Sequence, residues 1–569
     1  MGHRFLLTHI FGYKTTYVVL ICVVFGLLIP LLPFQDDLYY ISPVSLFDPA
    51  GLLPGLSYWR PFDYLFRVLL GFIPVAYPLL NHLVVVIGHI GSIYLIHRIL
   101  VKQLGLNEKD VFFPCLFFLI VPAVFVAVAS IDSLNQVWSA FFGLLAVSLL
   151  VSRPCPRQFA LALLCCIASV FWKESGIVFF IAAPLLAFLL RYAVQGTTEI
   201  KPEMLTIKRL LIYLVIGLAF CLLYFGLRFL LTGSLTLGED SGRYALSLSP
   251  ISVLRNALLL FAINFSALDS IALFLQPRNI ALLIITGVLS LPLIGWVIKQ
   301  CIDWCRFAKP RKESLIESQA EYSRTQQTEL QSKPSAKPLQ QSCPKPWLFL
   351  LGLFIIALIC ISPYLVMSRP GEMHAYQLTP FVVILLAFLS SKPTTHKDPL
   401  ASTEASKAVL LSSKLTTRKN PLAATRTPQN ILIVVFCLFF TASLVSNAHK
   451  WVCMKQIGES TRPVYEAIVN SYPEGEHPTR VLAIAVETSD EPLYSVFKLT
   501  VSDSSWAGLV AASHWAWRYP EVFEHVTITE DIPVEAILAR YQQKLAWYDS
   551  VWIVWPDGET IVLRRGVDY

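Results

Sequence analysis

Two adjacent carboxylates, Asp36 and Asp37, stand in Phe34-Gln35-Asp36-Asp37-Leu38-Tyr39-Tyr40, directly after an apolar run from Thr15 to Pro33. Carboxylates at the edge of a membrane are costly to desolvate and need a reason to be there. Such a group can take a proton from a hydroxyl or amide, or hold a divalent metal. Adjacent acids repel each other, so one of the two could keep its proton. The plain alternative is the solvated end of a helix. What separates the two readings is whether other charged residues gather on the same side.

Several do. Arg60 lies in Tyr58-Trp59-Arg60-Pro61-Phe62, Asp132 in Ser130-Ile131-Asp132, and Lys173 and Glu174 in Phe171-Trp172-Lys173-Glu174-Ser175-Gly176. Arg369, Glu372 and His374 precede Pro380. The Lys173–Glu174 pair sits between two apolar runs with almost no loop, so it is either buried and paired or lines a cavity. Arg60, Lys173 and Arg369 could hold a phosphate or diphosphate. Cations for phosphate beside a proton-accepting acid suit transfer of a group from a lipid phosphate at the outer face. Each piece also has a plainer reading. Arg60 can anchor at the interface with its Trp and Tyr neighbours, Asp132 can cap the following helix, and Lys173–Glu174 can be a structural ion pair. His82 and His89, seven apart in an apolar helix, read as packed or hydrogen-bonded side chains.

The elements that must position these residues are apolar. The chain has 569 residues, 55% of them hydrophobic and 15% charged, with a mean hydropathy of +0.60. That composition excludes an ordinary soluble protein and describes a polytopic membrane protein. The net charge of +7 is no nucleic-acid footprint, because Lys and Arg fall in short segments between apolar runs. None of the 12 Cys follows Cys453, and Cys301, Cys305 and Cys343 lack zinc spacing and read as ordinary thiols. Apolar runs occur near 15–33, 78–97, 111–130, 134–151, 158–172, 176–191, 209–231, 280–298, 346–366, 377–391 and 430–446. The run at 252–275 carries Arg255, Asn256, Asn264 and Asp269 and reads as interfacial or re-entrant. The excess of Lys and Arg then puts the N-terminus and the flexible linkers 299–345 and 392–428 inside. This arrangement has about eleven crossings and an outside C-terminus. Residues 459–569 alternate strand-like runs (480–486, 551–555, 560–563) with helix-like ones (464–470, 532–545). The expected fold is thus a polytopic α-helical membrane domain over 1–446 and a small extracytoplasmic α/β domain over 459–569. Six of the 13 Trp fall in the latter: Trp506, Trp515, Trp517, Trp547, Trp552 and Trp555. Their plain role is core packing. Trp552 and Trp555 would lie on opposite faces of a strand, so at most one meets the core if one face of the sheet is open.

The ordered set of motifs resembles the GT-C superfamily of polyprenyl-phosphate-sugar-dependent glycosyltransferases, over roughly residues 15–391. It is most similar to the protein O-mannosyltransferase-like branch. Phe34-Gln35-Asp36-Asp37 is similar to the acidic motif after that family's first helix, Tyr58-Trp59-Arg60-Pro61-Phe62 to Tyr-Arg-Pro-Leu, and Tyr77-Pro78-Leu79-Leu80-Asn81 to Tyr-His-Leu-Leu-Asn. Ser130-Ile131-Asp132 stands where the branch has Arg-Ala-Asp, Lys173-Glu174-Ser175-Gly176 where it has Lys-Glu-Gln-Gly, and Arg369 to Pro380 where it has an Arg-containing Tyr-Leu-Pro segment. Val121-Pro122 replaces the branch's His-Pro, and tetratricopeptide repeats are absent. The resemblance implies an inverting sugar transfer with Asp36 or Asp37 as base, with Arg60, Lys173 and Glu174 toward the donor and either Arg369 or His374 at its phosphate; Asp132 and Glu372 are further candidates. It implies a polyprenyl-phosphate sugar donor and a glycan, lipid or protein acceptor, in a bacterial inner (cytoplasmic) membrane with the site facing outward. Nucleic acid is not an expected partner. A divalent metal, if used, would sit on Asp36 and Asp37. A transporter or flippase of lipid-linked glycan is the competing class, and a noncatalytic glycan-binding scaffold a third. Transporters place polar residues near the bilayer midplane in repeated halves, and no such repeat is visible in this sequence.

Reporters fused after residues 320 and 410 should read cytoplasmic, and one at residue 569 extracytoplasmic. A cytoplasmic C-terminus would make 252–275 a true crossing.

Overall fold

The computed structural model describes residues 49–54, 59–71, 77–131, 133–152, 155–194, 207–233, 247–268, 280–307, 346–367, 372–391, 427–473, 476, 478–486, 522–528, 532–555 and 558–568, with single positions 21, 22, 26, 28 and 31. The sequence-based run 15–33 and both basic linkers lie mainly or wholly outside them.

The helices run in order: α1 (Pro61–Gly71), α2 (Tyr77–His97), α3 (Glu108–Ile120), α4 (Pro122–Ala129), α5 (Leu134–Val151), α6 (Pro156–Trp172), α7 (Phe179–Val194), α8 (Ile207–Thr232), α9 (Pro250–Asn264), α10 (Ile280–Phe307), α11 (Pro346–Leu365), α12 (Thr379–Ser390) and α13 (Thr427–Asn470). Among the described residues six stretches are long and apolar enough to cross a membrane: His82–Gln103, Leu134–Val151, Glu174–Ala193, Leu211–Thr232, Ile284–Asp303 and Trp347–Leu365. The number rises to seven if α3 and α4 form one span. These helices make the chain a polytopic α-helical membrane protein. The described residues do not reach the expected eleven. Leu218, Leu222, Leu223 and Leu230 of α8, and Ile284, Val288 and Leu291 of α10, are exposed. In water such faces would be an aggregation site, and in a bilayer they are the lipid contact.

The run 111–130, expected as one crossing, is two helices bent by 55° at Val121. Pro122 has no N–H and opens the next helix from its first position, while Val121 is extended. The bend strips carbonyls of their helical partners, and an unpaired carbonyl in a lipid-surrounded core is costly. The long helix α13 supplies replacements: Asn447 Nδ2 donates to the Ile120 carbonyl at 2.8 Å and Lys450 Nζ to the Pro122 carbonyl at 2.9 Å. The ambiguous run at 252–275 behaves in a related way. Its helix α9 has 15 residues, about 22 Å, which is short for a span. Asn256 Nδ2 donates to the carbonyls of Leu365 (2.9 Å) and Met367 (2.7 Å). Asn264 Nδ2 donates to Leu260 and Ala375, and its Oδ1 accepts from Thr379 Oγ1 at 2.7 Å. Ile251, Leu254 and Leu258 face outward. The asparagines that obscured the hydropathy pattern are buried ties from α9 to the segment 365–379.

Behind α13 lies a four-stranded sheet of β1 (Arg480–Val486), β2 (Val522–Ile528), β3 (Ser550–Val554) and β4 (Thr560–Arg564), with α14 (Val534–Leu545) between β2 and β3. The order is β2-β1-β3-β4, with β1 parallel to both neighbours and β4 antiparallel to β3. Val464 and Ile468 at the end of α13 pack on one face, against Val481, Ala483, Ala485, Trp552 and Val554. Ile537 and Leu545 of α14 cover the other, against Leu482, Ile484, Val486, Val551 and Ile553. Glu524 of β2 accepts from Lys544 and then from the Tyr548 hydroxyl, and these bonds hold its carboxyl below the usual range. Trp552 and Trp555 do lie on opposite faces, but both faces are covered, which corrects the premise of an open side. Trp547 is 69% exposed, while Trp506, Trp515 and Trp517 fall outside the described residues. β2 was not expected from the sequence, because Glu524 and His525 interrupt its apolar pattern at a sheet edge.

Gly176, in the 3-10 turn Glu174–Val178, packs tightly against the end of α6. A Cβ there would stand 2.4 Å from both the Ser169 carbonyl oxygen and Ser169 Oγ. Ser169 is itself fixed to the Ser139 carbonyl at 2.8 Å, so the neighbour cannot give way. Gly176→Ala should destabilise the protein by about 1–3 kcal/mol. Gly226→Ala, which meets nothing within 4 Å, should be neutral or slightly stabilising. Thermal denaturation in detergent compares the two.

Candidate functional site

Four chain segments that are distant in sequence meet at one end of the helical domain. The junction between α6 and α7 begins it. α6 ends at Trp172, Lys173 is extended (φ −154°, ψ 135°), and a 3-10 turn runs Glu174–Val178. Side chains of neighbouring residues on extended backbone diverge. Glu174 accordingly turns to Arg60, and Lys173 turns to α5.

The Glu174 carboxylate accepts from Arg60 Nε at 2.9 Å and from the Trp59 backbone N–H at 3.3 Å. The two side chains are 12% and 11% exposed. Arg60 is the residue before Pro61, which opens α1 from its first position, so its backbone is fixed where its side chain must reach. Trp59 is held from three sides: it stacks on Tyr224 with ring centroids 4.7 Å apart, its carbonyl accepts from Tyr224 Oη at 2.7 Å, and its Nε1 donates to the Leu52 carbonyl. The expectation that Lys173–Glu174 would be buried and paired takes a specific form. Glu174 pairs with Arg60 across 114 residues, and Lys173 Nζ donates to Asn135 Oδ1 at 3.2 Å.

Ser175 joins this corner to the segment after α11. Its Oγ lies 2.8 Å from Tyr364 Oη and accepts from Gln377 Nε2 at 3.0 Å. The Tyr364 hydroxyl also reaches Gln136 Oε1 at 2.9 Å. His374, in the 3-10 turn Glu372–Gln377, is buried and its ring is tilted against Tyr364, ring centroids 4.5 Å apart at 34°. Tyr376 of the same turn reaches back to α2, its hydroxyl 2.9 Å from His89 Nδ1. His89 is thus a packed, hydrogen-bonded side chain. The structure therefore draws together Arg60, Lys173, Glu174 and the turn that carries His374. Asp36, Asp37, Asp132 and Arg369 lie outside the described residues, as does the Glu372 side chain. Among the described residues no three His, Cys, Asp or Glu side chains form a metal-holding group.

Asn135, Gln136, Tyr364, Gln377 and Tyr224 did not stand out in the sequence. A signal existed for two of them, since Leu134-Asn135-Gln136-Val137 puts adjacent amides inside an apolar run, where they need partners. The tyrosines carry no such mark, because a Tyr in an apolar run reads as core.

What the fold defines is a polytopic helical membrane protein with a charged and amide-lined corner at one end and a four-stranded α/β sheet beyond it. No protein-family model matches the chain, and no curated protein matches it. Two solved structures are similar to it. Both are of ArnT from Cupriavidus metallidurans, one bound to undecaprenyl phosphate (12% identity, 96% of this chain and 93% of that one, TM-score 0.46) and one in the apo state (10%, 95% and 93%, 0.45).

Removing one partner of an enclosed ion pair leaves the other charge uncompensated, at a cost of about 3–5 kcal/mol. Glu174→Leu and Arg60→Met should each destabilise the protein on that scale, and the double variant Arg60→Met/Glu174→Leu by much less than their sum. A double-mutant cycle on unfolding free energy measures this. Strict additivity would mean that the two side chains do not act as a pair.

Proposed function

We propose that this chain is a GT-C-type glycosyltransferase of the protein O-mannosyltransferase-like branch. It moves a sugar from a polyprenyl-phosphate donor to an acceptor at the extracytoplasmic face of a bacterial inner membrane. The observation that carries the reading is the convergence of Arg60, Glu174, Lys173 and the His374 turn from separate segments at one end of the helices. The motif order quoted above supports it. A transport path calls for polar groups near the bilayer midplane on broken helices. At the sharp break found among the described residues, that of α3 and α4, Asn447 and Lys450 donate to backbone carbonyls.

The reaction under this reading is a single displacement with inversion. Asp36 or Asp37 accepts the proton of the acceptor hydroxyl or amide. The acceptor atom forms its bond to the anomeric carbon as the bond from that carbon to the phosphate oxygen breaks. The polyprenyl phosphate leaves with the electron pair. Lys173 is the cation assigned to the departing phosphate, with either Arg369 or His374 as the second group that meets it, and Arg60 contributes while bound to Glu174. Cations fixed before the charge develops lower the barrier without reorganising. Lys173, extended and anchored on Asn135, fits that part.

Purified protein incubated with radiolabelled polyprenyl-phosphate sugars should pass label to a lipid, glycan or protein fraction. Asp36→Asn or Asp37→Asn should abolish the transfer, with expression and donor binding retained. Near-normal turnover in both single variants and in the double variant would reduce the acid pair to a helix end and remove the proposed base.

A further inference from the structure

Gln136 and Gln377 are both fully buried, one near the start of α5 and the other at the end of the 3-10 turn Glu372–Gln377. Each uses one end of its amide. Gln136 Oε1 lies 2.9 Å from Tyr364 Oη, and Gln377 Nε2 donates to Ser175 Oγ at 3.0 Å. Tyr364 and Ser175 are themselves 2.8 Å apart, so three hydrogen bonds in series join the two amides. The other ends, Gln136 Nε2 and Gln377 Oε1, have no hydrogen-bond partner among the described residues. Turning either amide over leaves the same count, one end bonded and one end unpaired.

Leaving a buried amide group unpaired is unfavourable, and two such groups on one network call for a ligand that pairs them. The unpaired pair comprises a donor and an acceptor. A hydroxyl group, which donates one hydrogen bond and accepts others, can pair with either. The network also passes through Ser175, the residue after Glu174, and through Tyr364, whose ring lies against His374, so it adjoins the site already described. We propose that Gln136 and Gln377 are specificity-determining residues that recognise hydroxyl groups of the sugar carried by the donor. The proposal rests on the reading of the chain as a glycosyltransferase. A buried water offers the same hydrogen bonds, and the experiment separates the two sources. A site built to pair with a hydroxyl strongly rejects an analogue lacking it, because its own polar groups are then left unpaired.

Binding of the purified full-length chain is measured to polyprenyl phosphate, to a panel of polyprenyl-phosphate hexoses and pentoses, and to versions of the best-bound sugar lacking each ring hydroxyl in turn. The native protein should bind one deoxy donor at least tenfold more weakly than its parent. Gln136→Leu and Gln377→Leu should weaken the parent donor to a similar extent and abolish the penalty for that missing hydroxyl. Polyprenyl phosphate alone should bind native and variant proteins within about twofold of each other. Equal binding of every deoxy donor by the native protein, the result a trapped water gives, overturns the proposal without any variant having to fold. So does a Leu variant that still penalises the missing hydroxyl as the native protein does. If polyprenyl phosphate and all its sugars fail to bind, the glycosyltransferase reading falls, and this proposal with it.

Discussion

The Arg60–Glu174 pair ties the charged corner together. Two ions enclosed to this degree lose several kcal/mol of hydration each, and their attraction repays that only with good geometry and further hydrogen bonds. Both conditions are met: Arg60 Nε lies 2.9 Å from one carboxylate oxygen, and the other oxygen accepts the Trp59 N–H. Trp59 is in turn stacked and hydrogen-bonded on Tyr224 of α8. Through one ion pair the entry to α1, the junction of α6 and α7, and α8 become a single unit. Glu174 then fixes the turn from which Lys173 and Ser175 point to other elements. A pair of this kind sets geometry more than it adds stability, which suits a site that must hold charges before a reaction begins.

The same scarcity of water governs the backbone. Where helices are broken or short, side-chain amides and one ammonium take over the exposed carbonyls. Asn447 and Lys450 serve the bend at Val121, and Asn256 and Asn264 serve the segment leading to His374. Lipid-surrounded protein admits irregular backbone only where protein groups pair with it. These polar residues therefore mark the places where the chain departs from plain spanning helices. α13 is notable among them, because one helix of 44 residues carries both the ties to the bend and, at its far end, Val464 and Ile468 in the core of the sheet.

Hydropathy and periodicity determined much of this by themselves. The helical membrane class, the positions of most apolar helices, and strands β1, β3 and β4 follow from runs of apolar residues at the right lengths. The residues that converge were also legible, because charges such as Arg60, Lys173 and Glu174 beside apolar runs stand out against their background. Partners were not legible. Glu174 stands next to Lys173 in sequence yet pairs with Arg60, since an extended Lys173 sends the two side chains apart and the fold brings Arg60 from 114 residues away. Gln136, Tyr364 and Gln377 join only because α5, the end of α11 and the 372–377 turn meet at Ser175. The bend at Val121 and the inward face of α9 depend on side chains of α13 and on backbone near Met367, and no local pattern encodes those. Burial, periodicity and helix ends are local properties that a sequence carries openly. Which buried polar group satisfies which other is a property of packing, and only the tertiary structure decides it.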